Sequence, residues 1–129
     1  MIFIEYVFIY FLGASIYCSL EILYRGWTHW SMFIVGGGCF LLMYLISGTT
    51  VPLWSKWLIS AVTISTVELF SGLILNTLLG LGVWDYSANA FNIAGQVCPL
   101  FSLIWLLLSV PGIALCLYLR PLLQRLLQA

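Results

Sequence analysis

The chain has 129 residues, of which 64% are hydrophobic and only 6% are charged, and its formal net charge is zero. A water-soluble domain carries about 25% charged residues, so most of this surface must face lipid instead of water. The balanced charge also gives no sign of the basic patches that bind nucleic acid. The composition therefore indicates an integral membrane protein whose main surroundings are the lipid bilayer.

Four apolar stretches predict membrane-spanning helices, because the hydrocarbon core of a bilayer requires about 20 helical residues. They lie near residues 2–23, 31–46, 57–75 and 99–119. Continuous apolar runs such as FSLIWLLLSV favour helices over the alternating strands of a membrane barrel. We expect an all-α, integral membrane four-helix bundle that forms a single transmembrane domain over residues 1–129.

Positive charges predict the orientation of this bundle. Four spans place both termini on one side of the membrane, together with Lys56, Arg120 and Arg125, whereas Arg25 lies on the other side. Because positively charged residues are enriched on the cytoplasmic side, we expect both termini to be cytoplasmic. The first stretch lacks a basic segment before its apolar run, so we interpret it as a retained anchor and not as a cleaved signal.

The first helix ends in a polar turn. Glu21 and Arg25 are four residues apart with the acid first, which favours an ion pair on one helix face. His29 follows between two tryptophans that are typical of the membrane interface. It is either an interfacial polar residue or a proton carrier beside Glu21. In the second helix, three glycines at residues 36–38 allow another backbone to approach closely, or allow the helix to open around a ligand.

The third helix carries a carboxyl group inside an apolar span. One face of this helix has small and polar residues at helical spacing, namely Ala61, Ser65, Glu68, Gly72 and Asn76. Such a face packs inside a membrane bundle. A carboxylate near the middle of a span costs about 2.5–3.5 kcal/mol on insertion scales. Glu68 should therefore be protonated, paired or hydrated, and it is either functional or a neutral hydrogen-bonding group between helices.

The segment GVWDYSANAFNIAGQVCP, which ends at Pro99, is polar and rich in turn-forming residues, so it does not continue the third helix. Pro99 fits the first turn of the last helix. Asn89, Asn92 and Gln96 can satisfy backbone polar groups, and we therefore expect a structured outer loop between helices 3 and 4. The positive end of the last helix dipole points at this loop and favours an anionic group there, such as Asp85.

The remaining features predict neither a metal site nor a cofactor. Cys18, Cys39, Cys98 and Cys116 lack metal-binding spacing, and His29 is the single histidine. We interpret the cysteines as buried free thiols. The final RPLLQRLLQA segment, beyond the predicted end of the last helix, is typical of a short amphipathic tail at the membrane interface.

Two runs, EILYRGWTHWSMFIVGGGCFLL and VELFSGLILNTLLGLGVWDYSANAFNIAGQVCPLFSLIWLLLS, resemble the bacterial membrane family described as putative type IV ABC-transporter permeases. The resemblance covers about Gly13 to Ser109, and its most specific part is the W-D-Y-S and F-N-x-x-G-Q-x-C run. It implies transport, a location in the bacterial cytoplasmic (inner) membrane and a separate nucleotide-binding subunit. The matching motif positions are Glu21, Arg25, Gly26, Glu68, Trp84, Asp85, Tyr86, Asn92, Gly95 and Gln96.

Three functions are open at this point. In the favoured one, the chain is a transporter or permease-type component, assembled as a homo-oligomer or with other membrane subunits, in which Glu68 and Glu21 line a path capped by the loop. In the second, it is a membrane-embedded enzyme acting on a lipid-type substrate with Glu21, His29 and Asp85 as acid–base groups, although no nucleophile motif is present. In the third, it is a structural or regulatory subunit of another membrane complex. The candidate binding or pathway residues are Glu21, Arg25, His29, Glu68, Asn76, Trp84, Asp85, Tyr86, Asn92 and Gln96.

Overall fold

The computed structural model describes residues 2–128, and this part of the chain contains helices and no strands. Helix α1 is Ile2–Arg25, α2 is Trp30–Ser47, α3 is Leu53–Gly72 and α4 is Pro99–Gln128. A π-helix, Leu73–Leu78, continues α3 without a break. All four helical segments are long and apolar enough to cross a membrane. The prediction of an all-α membrane protein with four spans is therefore confirmed.

Helices α3 and α4 extend furthest beyond their predicted bounds. Helix α3 begins at Leu53 instead of residue 57, directly after the extended backbone of Pro52 (φ −59°, ψ 157°). The sequence predicts that the last helix ends at residue 119, but α4 continues through Pro121 to Gln128. Residues 120–128 are thus part of α4 and not a separate tail, and Leu119 and Leu123 are both buried against the bundle.

Close packing between pairs of helices organises the bundle. Helix α1 packs mainly against α2, and α3 mainly against α4, while α2 contacts both α3 and α4. A Cβ atom on Gly36 would lie 2.7 Å from the side chain of Tyr17, and one on Gly37 would lie 2.8 Å from the backbone oxygen of Tyr10. A Cβ atom on Gly38 would meet open space. The first two glycines of the run therefore serve the close approach of α1 and α2.

Two groups of buried apolar residues form the core. The larger group consists of Ile9, Met43, Tyr44, Ile64, Ile113, Cys116, Leu119 and Leu123. The smaller group consists of Met32, Leu75 and Val83. A cavity of about 330 Å³ contacts Met32 from the smaller group and Met43 and Ile64 from the larger one. The interior of the bundle is therefore not completely filled.

A polar cluster at one end of the bundle, which we call the Tyr44 cluster, contains Glu5, Tyr44, Ser47, Lys56 and Arg120. Glu5 is only 6% exposed and accepts a hydrogen bond from the Tyr44 hydroxyl. The guanidinium of Arg120 lies 4.1 Å from the centre of the Tyr44 ring and donates to the Tyr44 carbonyl and to the Ser47 hydroxyl. Nζ of Lys56 donates to the Ser47 carbonyl at 2.9 Å. The cluster thereby joins all four helices.

Candidate functional site

Glu68 of α3 is the buried carboxyl group at the centre of the candidate site. Its side chain is directed into the bundle, and the residue is 8% exposed. Oε2 accepts hydrogen bonds from the Tyr86 hydroxyl at 3.3 Å and from Nε1 of Trp105 at 3.2 Å. Oε1 is buried and has no hydrogen-bond partner. Both groups that donate to Glu68, a phenol and an indole, are neutral. Within residues 2–128 the one ion pair joins Glu21 and Arg25, so Glu68 is not part of an ion pair.

Glu68 lines the cavity of about 330 Å³, together with side chains from α1, α2, α4 and the loop. The wall is largely apolar and includes several aromatic rings, among them those of Tyr17, Phe40, Trp84 and Trp105. A cavity of this kind, apolar with a few polar groups, is typical of sites that bind small molecules. The combination of an apolar wall and one unpartnered carboxylate oxygen therefore identifies the candidate site.

The end of the third span is shaped to receive the loop that follows it. Gly72, the last residue of α3, allows a close approach, because a Cβ atom there would lie 2.8 Å from Cζ2 of Trp84. In the π-helix, Oδ1 of Asn76 accepts from the backbone N–H of Val83 at 2.6 Å, and Nδ2 donates to Oε1 of Gln96 at 2.8 Å. π-Helical turns are rare and often occur at functional sites. Asn76 therefore fixes both the start and the end of the loop.

The segment between α3 and α4, residues 79–98, is ordered by hydrogen bonds from its own side chains. Nε1 of Trp84 donates to the Gln96 carbonyl at 3.1 Å. The Asn92 side chain donates to the carbonyls of Ser87 and Asn89 and accepts from the N–H of Gly95 at 3.0 Å. These bonds confirm the prediction of a structured loop.

Tyr86 connects this loop to the carboxyl group. Its ring stacks on Phe101 with the ring centres 4.4 Å apart and the planes 8° from parallel. Burial, followed by the nearby negative charge of Glu68, raises the pKa of Tyr86 above its usual value. The phenol is therefore neutral at physiological pH and donates to Oε2 of Glu68.

Glu21 and Arg25 form the predicted ion pair, with 2.7 Å between Nη2 of Arg25 and Oε1 of Glu21. The same guanidinium donates through Nη1 to the Val83 carbonyl at 2.6 Å and lies 3.8 Å from the centre of the Trp27 ring. Glu21 also accepts from the Thr28 hydroxyl at 2.8 Å. Neither residue of the pair lines the cavity. The pair instead attaches the end of α1 to the loop.

His29 and Asp85 have local partners of their own. His29 is the N-cap of α2, where Nδ1 accepts from the backbone N–H of Ser31 at 3.2 Å. Asp85 is exposed, and its Oδ1 accepts from the backbone N–H of Ser87 at 2.8 Å, which lowers the pKa of Asp85. Asp85 therefore stabilises its own turn, and it is Thr28, not His29, that contacts Glu21.

The sequence-predicted candidates thus fall into distinct places. Tyr86 donates to Glu68, and Asn76 and Trp84 each donate to Gln96; of these residues, Glu68 and Trp84 line the cavity. Glu21 and Arg25 lie at the end of α1, Asn92 lies inside the loop, and His29 and Asp85 are turn residues. Sequence reasoning missed Trp105, whose indole nitrogen is the one signal that could have distinguished it from the apolar residues around it.

The four cysteines in the described range are free. Within residues 2–128, no three or more His, Cys, Asp or Glu side chains are grouped in a way that could hold a metal ion. The polar side chains that line the cavity are the carboxyl of Glu68, the hydroxyls of Tyr17 and Ser71, the thiol of Cys39, and the indoles of Trp84 and Trp105.

No curated protein and no solved structure matches this chain significantly. A family model described as "Putative ABC-transporter type IV" matches residues 1–129. The match covers all four spans and the loop that carries Trp84, Tyr86 and Gln96. The chain is therefore a small multi-pass membrane protein that belongs to the putative type IV ABC-transporter family.

Proposed function

We propose that this chain is a permease-type component of a transporter, in which Glu68 is an intramembrane carboxyl group on the substrate path. The observation that carries the proposal is the buried Oε1 of Glu68, which has no partner and belongs to a residue that lines the cavity. A buried acceptor without a partner costs about 1–3 kcal/mol. An ionisable group held in a membrane span at such a cost commonly belongs to a substrate or ion pathway.

The loop of residues 79–98 supports the same proposal. It covers one end of the cavity with Trp84 and contacts Glu68 through a single hydrogen bond of 3.3 Å from Tyr86. Gly80 and Gly82, at its start, have left-handed backbone conformations (φ 67° and 61°) that favour glycine. We propose that this loop closes the cavity and that its release from Glu68 opens it.

The family membership leads us to propose further subunits and a location. The transporter would contain a separate nucleotide-binding subunit, and the chain would assemble as a homo-oligomer or with other membrane subunits. We place it in the bacterial cytoplasmic membrane with both termini in the cytoplasm, on the basis of Lys56, Arg120 and Arg125. A C-terminal reporter enzyme that is active only in the cytoplasm tests this orientation.

The function is tested in liposomes with the chain purified in mild detergent together with the subunits that accompany it, and with ATP supplied to the nucleotide-binding subunit. Wild-type, Glu68→Gln and protein-free liposomes are exposed to a mixture of small metabolites, and the accumulated compounds are identified by mass spectrometry. We expect wild-type liposomes to accumulate at least one solute that the other two do not. The control is Ser15→Ala, because Ser15 is exposed on α1 and its hydroxyl bonds only to the Phe11 carbonyl of its own helix.

Equal uptake by wild-type and Glu68→Gln liposomes would contradict a role for Glu68 in the pathway. A Glu68→Ala variant that assembles poorly but transports normally would instead favour a structural subunit. The enzymatic alternative receives no support from a specific observation, since Glu21, His29 and Asp85 each bond to other residues. A transport role remains the function that the site supports best.

A further inference from the structure

We infer that the ligand of the cavity is an amphiphilic amine, with an apolar body inside the cavity and a protonated amino group on Oε1 of Glu68. The inference rests on the proposed function, because it names the substrate class of the same site. Three properties of the site lead to it: the nature of the wall, the polar atoms that remain free, and the missing positive charge.

The wall of the cavity selects an apolar body. Its volume of about 330 Å³ lies near the lower end of the range of about 300–1,000 Å³ that is usual for small-molecule sites. Leucine, isoleucine and methionine side chains and aromatic rings make up most of the lining. A sugar or a peptide would lose its bonds to water on entry without receiving equivalent ones. A compact hydrocarbon or aromatic body makes no hydrogen bonds to water and therefore loses none on entry.

Among the residues that line the cavity, one buried polar side-chain atom has no hydrogen-bond partner. Trp84 donates its indole proton to Gln96, and Trp105 donates its indole proton to Oε2 of Glu68. The Ser71 hydroxyl donates to the Val67 carbonyl within α3. Oε1 of Glu68 is left as a buried acceptor without a partner. An ionised Glu68 therefore requires a hydrogen-bond donor from the ligand at this atom, and a nearby positive charge favours the ionised form.

The missing charge distinguishes an amine from an alcohol. Glu68 receives bonds only from the neutral groups of Tyr86 and Trp105, and a carboxylate in an apolar site is costly unless a positive charge is close. An ammonium group supplies the donor and the charge together. The rings of Tyr17, Trp84 and Trp105 in the wall attract a cation as well. An anionic ligand would be repelled by the same carboxylate.

The inference is tested by photolabelling in phosphatidylcholine vesicles, which contain no primary amine. The probes are an alkyl diazirine with a terminal primary amine and the matched alcohol of the same chain length. Labelled residues are mapped by peptide mass spectrometry. We expect the amine to label cavity residues such as Met32, Cys39 and Met43 at least about tenfold more than the alcohol, as a charge-assisted hydrogen bond implies.

The variants assign this preference to the carboxyl group. Glu68→Gln should reduce the amine-to-alcohol ratio to about one, whereas Glu68→Asp, which keeps the charge, and Ser15→Ala should retain a clear preference for the amine. Equal labelling by the two probes in the wild type, or an unchanged ratio in Glu68→Gln, would overturn the inference. Glu68→Asp keeps the test decisive if Glu68→Gln fails to fold, since loss of the preference in a folded Glu68→Asp variant would also overturn it.

A second arm identifies the source of the amine. Phosphatidylethanolamine, which has a primary amino headgroup, replaces part of the phosphatidylcholine. If phosphatidylethanolamine competes with the probe and cavity labelling is lost, the natural ligand is a lipid headgroup. If labelling is retained, the natural ligand is a soluble amphiphile. In both cases the ligand carries an ammonium group. Amine-selective labelling without Glu68-dependent uptake would sustain the ligand assignment and reject the transport function. Glu68-dependent uptake without amine-selective labelling would support the transport function and reject the amine as its ligand.

Discussion

Glu5 and Glu68 are both buried carboxyl groups in the helices of this protein, with 6% and 8% of their surfaces exposed, but their surroundings differ. Glu5 bonds to Tyr44, whose ring and carbonyl both contact the cation of Arg120. Glu68 has two neutral donors on one oxygen, no partner on the other, and a cavity beside it. Glu5 thus belongs to a cluster that contains a cation, whereas one oxygen of Glu68 has no hydrogen-bond partner.

Under the proposed function, this difference separates a stabilising cluster from a ligand site within one small bundle. At the Tyr44 cluster, the carboxyl group of Glu5 and the cation of Arg120 contact one tyrosine, and these contacts join α1, α2 and α4. Packing of this kind stabilises a single arrangement of helices. At Glu68, the buried oxygen without a hydrogen-bond partner makes the local arrangement less favourable than it could be, which is common at functional sites. We therefore expect substitutions at the two places to have different consequences.

The largest effect on stability is expected from Arg120→Ala. The substitution removes the cation above the Tyr44 ring and the hydrogen bonds to Tyr44 and Ser47, and should lower the free energy of unfolding by about 3 kcal/mol. Titration with a denaturing detergent measures this loss. The matched control is Arg125→Ala, because Arg125 is exposed on the same helix, and its change should be within about 0.5 kcal/mol. Equal losses for the two arginines would contradict a special role for the cluster.

An intermediate effect is expected from Gly72→Ala, which tests the docking of the loop beside Glu68. The new Cβ atom would lie 2.8 Å from Trp84 and would also meet the side chain of Gln96, so the loop must move outward. Overpacking of this kind costs about 1–3 kcal/mol. Hydrogen exchange should increase in residues 83–98 and remain unchanged at the Tyr44 cluster.

Gly38→Ala provides the control for this substitution. A Cβ atom on Gly38 has no neighbour within 4 Å, and alanine is a better helix former than glycine by about 1 kcal/mol. This variant should therefore keep or slightly increase the free energy of unfolding. If both glycine variants lose the same stability, the loop is not closely packed on α3 in the membrane.

The spans and the loop could be predicted from the sequence, because each depends on local composition. Apolar runs interrupted at Arg25-Gly26 and at Pro52 indicate the helices, and the loop of Trp84 to Gln96 is the longest polar interval. The helical spacing of Ala61, Ser65, Glu68 and Asn76 correctly directs one face of α3 and of the π-helix that continues it inward.

The partners of the buried carboxyl groups could not be predicted, because they come from distant positions in the chain. Tyr44 is 39 residues from Glu5, and Arg120 is 76 residues from Tyr44, so no local spacing joins them. The sequence therefore indicates only an interfacial position for Arg120. Trp105 lies in an apolar run of the sequence, and a hydropathy pattern does not reveal that its indole N–H donates a hydrogen bond to Glu68.

The smallest effect is expected from Tyr86→Phe, which removes one bond to Glu68 and leaves the rest of the loop intact. Phenylalanine keeps the stack on Phe101, and Trp105 still donates to Oε2 of Glu68, so the free energy of unfolding should fall by about 1 kcal/mol. Tyr118→Phe is the control, since Tyr118 is exposed on α4 and should change it by less than about 0.5 kcal/mol. The same detergent titration measures both.

The size of the loss in Tyr86→Phe distinguishes two roles for Glu68. A loss as large as that of Arg120→Ala would mean that Glu68 is part of a structural cluster like that of Glu5. A small loss together with increased hydrogen exchange in the loop would fit a contact that opens and closes.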